Sequence, residues 1–101
     1  MDIQTVVTGD THEMLVSGRI DGEGANRLEQ AVLKSMQSGA KAIYVNLASS
    51  TFICSAGLRV LLQYWRQMKN SQRMLLATRP SPEVDAVLAT SGFREMLVEK
   101  I

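Results

Sequence analysis

Residues 45–69, VNLASSTFICSAGLRVLLQYWRQMK, decide the fold. An apolar run rich in β-formers ends at Leu47, a polar interval covers residues 48–54, and a helix opens on Ser55. Within that helix Leu58, Leu61, Leu62, Trp65 and Met68 recur at helical spacing and form a core-facing stripe. Arg59, Gln63, Arg66 and Asn70 form the polar side. Backbone N–H groups at a helix start have no intrahelical partner and carry partial positive charge. The Ser55 hydroxyl therefore reads either as an ordinary N-cap or as the acceptor of an added phosphate.

Working outward, residues 41–47, KAIYVNL, read as a central strand buried on both faces. Residues 3–8 and 13–17 read as two short strands joined at Gly9-Asp10-Thr11-His12, which predicts a hairpin with His12 as a turn residue. From Asp21 the period changes, and Ala25, Leu28, Val32, Leu33 and Met36 share one helical face until Gly39 supplies a stop. Residues 74–78 read as another strand. Arg79-Pro80-Ser81-Pro82 then breaks the chain, with Ser81 as cap and Pro82 in the first helical position. The helix over 82–91 turns Val84, Val87 and Leu88 to the core, Gly92 ends it, and a last short strand is expected over 95–99.

The resulting order, β-β-α-β-α-β-α-β, predicts an α/β fold with an N-terminal hairpin followed by right-handed crossovers and a mostly parallel sheet. Ligands in such sheets meet loops at the carboxyl ends of strands, where residues 48–54 are expected as a loop leading to Ser55. The 101 residues, 46% hydrophobic and 21% charged, fit one domain over 1–101. Eleven basic against ten acidic residues leave a charge of +1, which provides no general attraction for nucleic acid or anionic membrane. With one cysteine, Cys54, and one histidine, His12, neither an intrachain disulfide nor a Cys/His metal site is expected, nor is any cofactor. No apolar run approaches the roughly 20 residues of a membrane span, so the expectation is a cytoplasmic protein without membrane insertion.

Several residues carry two readings each. Asp21 suits a helix cap or a partner-facing position beside Ser55. Asn46 suits a bond to the backbone of the following interval. Gly57, one step into the helix, points to a close approach, by a partner or by the sheet. Val60 and Tyr64 fall beside the apolar stripe, as an exposed patch or as packing under a loop. Cys54 reads as a small packed side chain. A single histidine, a single cysteine and no phosphate-binding glycine loop leave no catalytic set, so no enzyme is expected.

Taken in order, Gly18-Arg19-Ile20-Asp21, Val45-Asn46-Leu47, Phe52-Ile53-Cys54-Ser55-Ala56-Gly57-Leu58 and Ser91-Gly92-Phe93 resemble the signature segments of the STAS domain of bacterial anti-sigma factor antagonists. The resemblance covers nearly the whole chain. It implies a partner-switching regulator whose phosphorylated serine is Ser55, with Asp21, Cys54, Ala56, Gly57 and Arg59 facing the partner. The implied partners are a serine kinase of the histidine-kinase-like ATPase fold that doubles as anti-sigma factor, and a metal-dependent serine phosphatase. The chain itself would be a monomer or weak dimer. The family's usual Asp or Ser before the serine is replaced here by Cys54. STAS domains also serve as unphosphorylated adaptors in lipid-transport or stress-scaffold complexes, where Ser55 would only cap.

Overall fold

The computed structural model describes residues 1–98. Strands β1 (Asp2–Thr8) and β2 (Thr11–Ile20) form the expected hairpin, paired antiparallel from Asp2↔Ser17 to Thr8↔Thr11. The connection is only Gly9-Asp10, with Gly9 at φ +60°, so the turn takes the primed geometry whose twist matches the strands. His12 is thus not a turn residue. It lies in β2, 6% exposed, with Nδ1 2.8 Å from Ser35 Oγ.

Helix α1 (Gly22–Gln37) leads to β3 (Ala42–Ile53), α2 (Ser55–Asn70) to β4 (Met74–Thr78), and α3 (Pro82–Ser91) to the single turn α4 (Arg94–Leu97). The sheet order is β1-β2-β3-β4, with β2, β3 and β4 mutually parallel. Two crossovers of one hand that each advance one strand put α1 and α2 on the same face, where they pack on each other. The core lies between them and Met14, Val16, Ile43, Val45, Leu47, Leu75 and Ala77. The expectation that β3 is buried on both faces does not hold. Tyr44 and Asn46 are only half-buried and Leu15 beside them is exposed, because among the described residues no helix covers the opposite face.

The polar interval 48–54 is not a loop. β3 continues to Ile53 because β2 also runs past its expected end at Ser17, to Ile20, and the two stay paired through Ser17↔Ser49, Gly18↔Ser50 and Ile20↔Ile53. Ser50 Oγ donates to the Val16 carbonyl at 3.2 Å, which satisfies a hydroxyl buried in the sheet. Two register shifts put adjacent exposed residues, Ala48 and Ser49, in β3 and break the two-residue alternation by which a strand is recognised.

The buried line of α2 is Gly57, Val60, Leu61, Tyr64 and Met68, rotated from the expected stripe. Val60 and Tyr64 are core, at 7% and 3% exposure, while Leu58, Leu62 and Trp65 flank it half-buried. Gly57 sets this rotation. A Cβ there would sit 2.7 Å from Ile20 Cγ2 and 2.9 Å from Ile53 Cγ1, so the helix rests directly on the ends of β2 and β3. Tyr64 Oη donates to Glu29 Oε2 at 2.7 Å and joins α2 to α1.

α3 begins and ends as expected. Ser81 Oγ accepts from the Val84 N–H at 3.2 Å, Pro82 occupies the first turn, and Gly92 closes the helix in the left-handed conformation. Val84 and Leu88 are buried, and Val87 is half-buried. The expected last strand over 95–99 is replaced by α4: the Met96 and Leu97 N–H groups bond to the Phe93 carbonyl, and Leu97 is fully buried. A short apolar run has no period by which to separate strand from helix. Only Val98 bridges to β4, parallel to Ala77, and position 99 lies outside the described residues.

Two outcomes follow from these contacts. Burial, then the bond to Glu29 and its charge, push the Tyr64 phenol up to about 12. Below about pH 10 the phenol is neutral in both states; between about 10 and 12 the unfolded chain ionises first, so stability falls across that window by of order 2 kcal/mol. Urea unfolding against pH should show that decline in the native chain and lose it in Tyr64→Phe. Gly57→Ala should destabilise by about 1–3 kcal/mol in the same assay, because Ile20 and Ile53 have to give way.

Candidate functional site

The paired ends of β2 and β3 deliver two helix starts to one end of the sheet. Ile20 is followed at once by Asp21, the N-cap of α1, and Ile53 by Cys54, the N-cap of α2. The Cys54 N–H donates to the Ile20 carbonyl at 2.9 Å, which holds the two starts together. Asn46 Oδ1 accepts from the Ala48 N–H at 3.0 Å, and its amide nitrogen lies 3.4 Å from Glu13 Oε2. It thereby has the backbone-binding role expected of it, at the first register shift of β3.

The two helix starts differ in electrostatics. Asp21 Oδ1 accepts from the Gly24 N–H at 2.8 Å, an ordinary cap that also sets a carboxylate at the positive end of α1. Cys54 makes no side-chain cap bond, and the first turn of α2 holds no acidic residue. Ser55 is not the cap: it is the first helical residue, exposed, with its hydroxyl beside amides that no side chain caps. The first turn of α2 therefore carries no acidic side chain of its own beside the hydroxyl.

The remaining expected site residues separate. Ala56 is half-buried and packs against the core, and Gly57 is buried against Ile20 and Ile53, so the close approach at this glycine is made by the sheet. Arg59 is exposed one turn beyond Ser55 and enters no ion pair among the described residues. Asp21, Cys54 and Ser55 share one end of the sheet, with Arg59 on the adjoining helix face.

A groove of about 610 Å³ opens beside Ser55, with Cys54, Ser55 and Leu58 on one wall and Ala86, Val87 and Thr90 of α3 on the other. α3 is held there by the Ser81 N–H, which donates to the Leu47 carbonyl at 3.1 Å. Among the described residues no charged side chain lines the groove. The α3 wall was missed from the sequence. Its signal was faint: PEVDAVLATS carries more apolar residues than the buried pair Val84 and Leu88 uses.

Residues 3–99 match the family model described as Mlab, STAS domain. The anti-sigma-B factor antagonist of Staphylococcus epidermidis is 22% identical over 97 residues, covering 96% of this chain and 90% of that protein. The fold is shared with the anti-sigma factor antagonist SpoIIAA in its unphosphorylated form, at TM-score 0.82 and 22% identity over 98% of this chain and 89% of SpoIIAA. The phosphorylated form of SpoIIAA from Bacillus matches at TM-score 0.76 and 20% identity, over 98% of this chain and 92% of that one. By the reach of the family match and by its four-stranded sheet with helices on one face, this chain belongs to the STAS domain family.

Proposed function

We propose that this chain is an anti-sigma factor antagonist in a partner-switching circuit, with Ser55 as the reversible switch. One observation carries the reading: an exposed hydroxyl stands at the uncapped start of α2, on the rim of an uncharged groove. The relatives named as anti-sigma factor antagonists support it. The unphosphorylated protein binds a serine kinase of the histidine-kinase-like ATPase fold, which is also the anti-sigma factor, and frees that factor's client. Phosphorylation of Ser55 ends the binding, and a metal-dependent serine phosphatase resets the switch. The chain performs no catalysis; the transferred phosphoryl group and its chemistry belong to the kinase.

The physics of the switch is asymmetric. A phosphate adds about −1.5 to −2 charge and three acceptor oxygens. Beside the unpaired amides of α2 that charge is tolerated, so the domain stays folded. A partner seated in the groove instead meets a dianion at an apolar contact, and burying it without a counter-charge costs several kcal/mol, against 1.4 kcal/mol per tenfold in affinity. Cys54, the N-cap of α2, supplies no acid beside the hydroxyl, so orientation of the hydroxyl falls to the helix start itself. Asp21 and Arg59 border the site: Asp21 belongs to the surface that meets the kinase, and Arg59 contacts the kinase or the phosphate.

The family description also names a domain of the Mlab type, which favours a second reading: an unphosphorylated STAS adaptor in a lipid-transport or stress-scaffold complex. The two readings separate on one experiment. Incubated with its cognate kinase and ATP, the chain should gain one phosphate by mass spectrometry, absent from Ser55→Ala; phosphate elsewhere overturns Ser55 as the switch, and none supports the adaptor. Titrated against the kinase, Ser55→Asp and Val87→Asp should each weaken binding at least tenfold while the melting temperature moves by only a few degrees. Equal affinity for Ser55→Asp and the native chain would sink the charge mechanism.

A further inference from the structure

We infer that the free edge of β1 pairs with β1 of a second copy of this chain, antiparallel about Thr5, to make one continuous sheet. β1 is an edge strand, since among the described residues the sheet order places β2 on one side of it and no strand on the other. Such edges are normally guarded by Lys, Pro, a bulge or a covering helix. β1 has none of these: DIQTVVT carries one charge, Asp2 at its end, and its pairing with β2 is regular throughout. The opposite edge differs, because β4 is met there by Val98.

The backbone decides which groups are available. Thr8 and Thr11 flank the two-residue turn and exchange both hydrogen bonds, so Asp2, Gln4, Val6 and Thr8 aim their N–H and C=O at β2. Ile3, Thr5 and Val7 aim theirs outward. The same three side chains lie on the helix-bearing face, opposite the buried Val16, Met14 and His12. α1 stops short of them and leaves a groove of about 470 Å³ floored by Ile3, Thr5 and Val7. Val7 is 60% exposed and Val6 44%, the largest values among the exposed large hydrophobics of the described residues.

Pairing two such edges about Thr5 uses all seven residues of the strand. Ile3 faces Val7 of the second copy, Thr5 faces Thr5, and these outward-aimed residues exchange six backbone hydrogen bonds. On the other face Gln4 lies opposite Val6, and at the ends Asp2 lies opposite Thr8. On the helix-bearing face Ile3 and Val7 meet as apolar pairs and two threonines meet on the dyad, and no like charges oppose along the paired strands, while Arg27 and Lys34 line the groove beside them. The contact is one strand long, roughly 23 Å, and falls below the roughly 800 Å² per partner of a standard interface, so the dimer is weak and concentration-dependent. It lies two strands away from β3 and leaves the groove beside Ser55 open in both copies.

Sedimentation velocity from about 10 μM to about 1 mM tests this, since weak association appears only near its dissociation constant. The expected result is a mass that climbs toward twice the monomer, with amide exchange slowing at Ile3, Thr5 and Val7 as concentration rises. Gln4 and Val6 should be protected at every concentration. Thr5→Lys, which sets two ammonium groups across the dyad, and Thr5→Pro, which deletes an outward N–H without touching the β2 ladder, should each return the protein to monomer with the fold intact by circular dichroism. A monomer at the highest concentration overturns the inference, as does a dimer that persists in both variants or protects amides elsewhere. None of these results depends on whether Ser55 is phosphorylated.

Discussion

The contact on which the rest depends is the seam where β2 and β3 end together and α2 rests on them. Ile20 pairs with Ile53, the Cys54 N–H bonds to the Ile20 carbonyl, and Gly57 lies against both isoleucines with no room for a methyl group. These few atoms set where α1 and α2 begin, how α2 is rotated about its axis, and therefore which of its residues are core. With a larger residue at 57 the line through Val60, Leu61, Tyr64 and Met68 could not reach the sheet in the same way. The seam also explains why serine-rich residues 48–51 form a strand. Their backbone groups are matched by a β2 that continues alongside, and the buried hydroxyl of Ser50 finds the Val16 carbonyl.

The helix starts show how one fold uses the same electrostatics in different ways. At α1 and α3 a capping oxygen, from Asp21 or Ser81, meets a first-turn amide. At α2 the cap position holds a thiol that makes no such bond, and the hydroxyl has moved one residue inward, to an exposed site. A missing cap of this kind costs about 1 kcal/mol, a small sum against a core that fills the space between helices and sheet. The arrangement leaves a positive, solvent-facing end beside an apolar groove, where an added negative charge is compatible with the domain and incompatible with an apolar partner.

Polar groups inside the molecule serve mainly to fix the helices. His12 and Ser35 tie β2 to α1, and Tyr64 and Glu29 tie α2 to α1. Each pair spans elements far apart in sequence, and each satisfies groups whose burial unpaired would be unfavourable. The helices are therefore held in a defined relation on one face while the opposite face stays open.

Much of the fold was legible in the residues. The hairpin, the spans of α2, β4 and α3, the Ser81 and Gly92 boundaries, and the parallel order all follow from period and punctuation, because those signals are local. The place of Ser55 at a helix start is likewise a local property, while its choice as the switch rests on the family resemblance. What local signals could not determine depended on partners distant in the chain. Residues 48–53 became strand because β2 lay beside them, and His12 became core because Ser35 came to meet it. Val60 and Tyr64 turned inward because Gly57 touches Ile20, and residues 94–97 became a helical turn because Leu97 is buried against the sheet and helices. The far wall of the groove, from α3, belongs to the same class. A sequence states which faces are apolar, but only the assembled sheet decides which face finds a neighbour and which is left for another molecule.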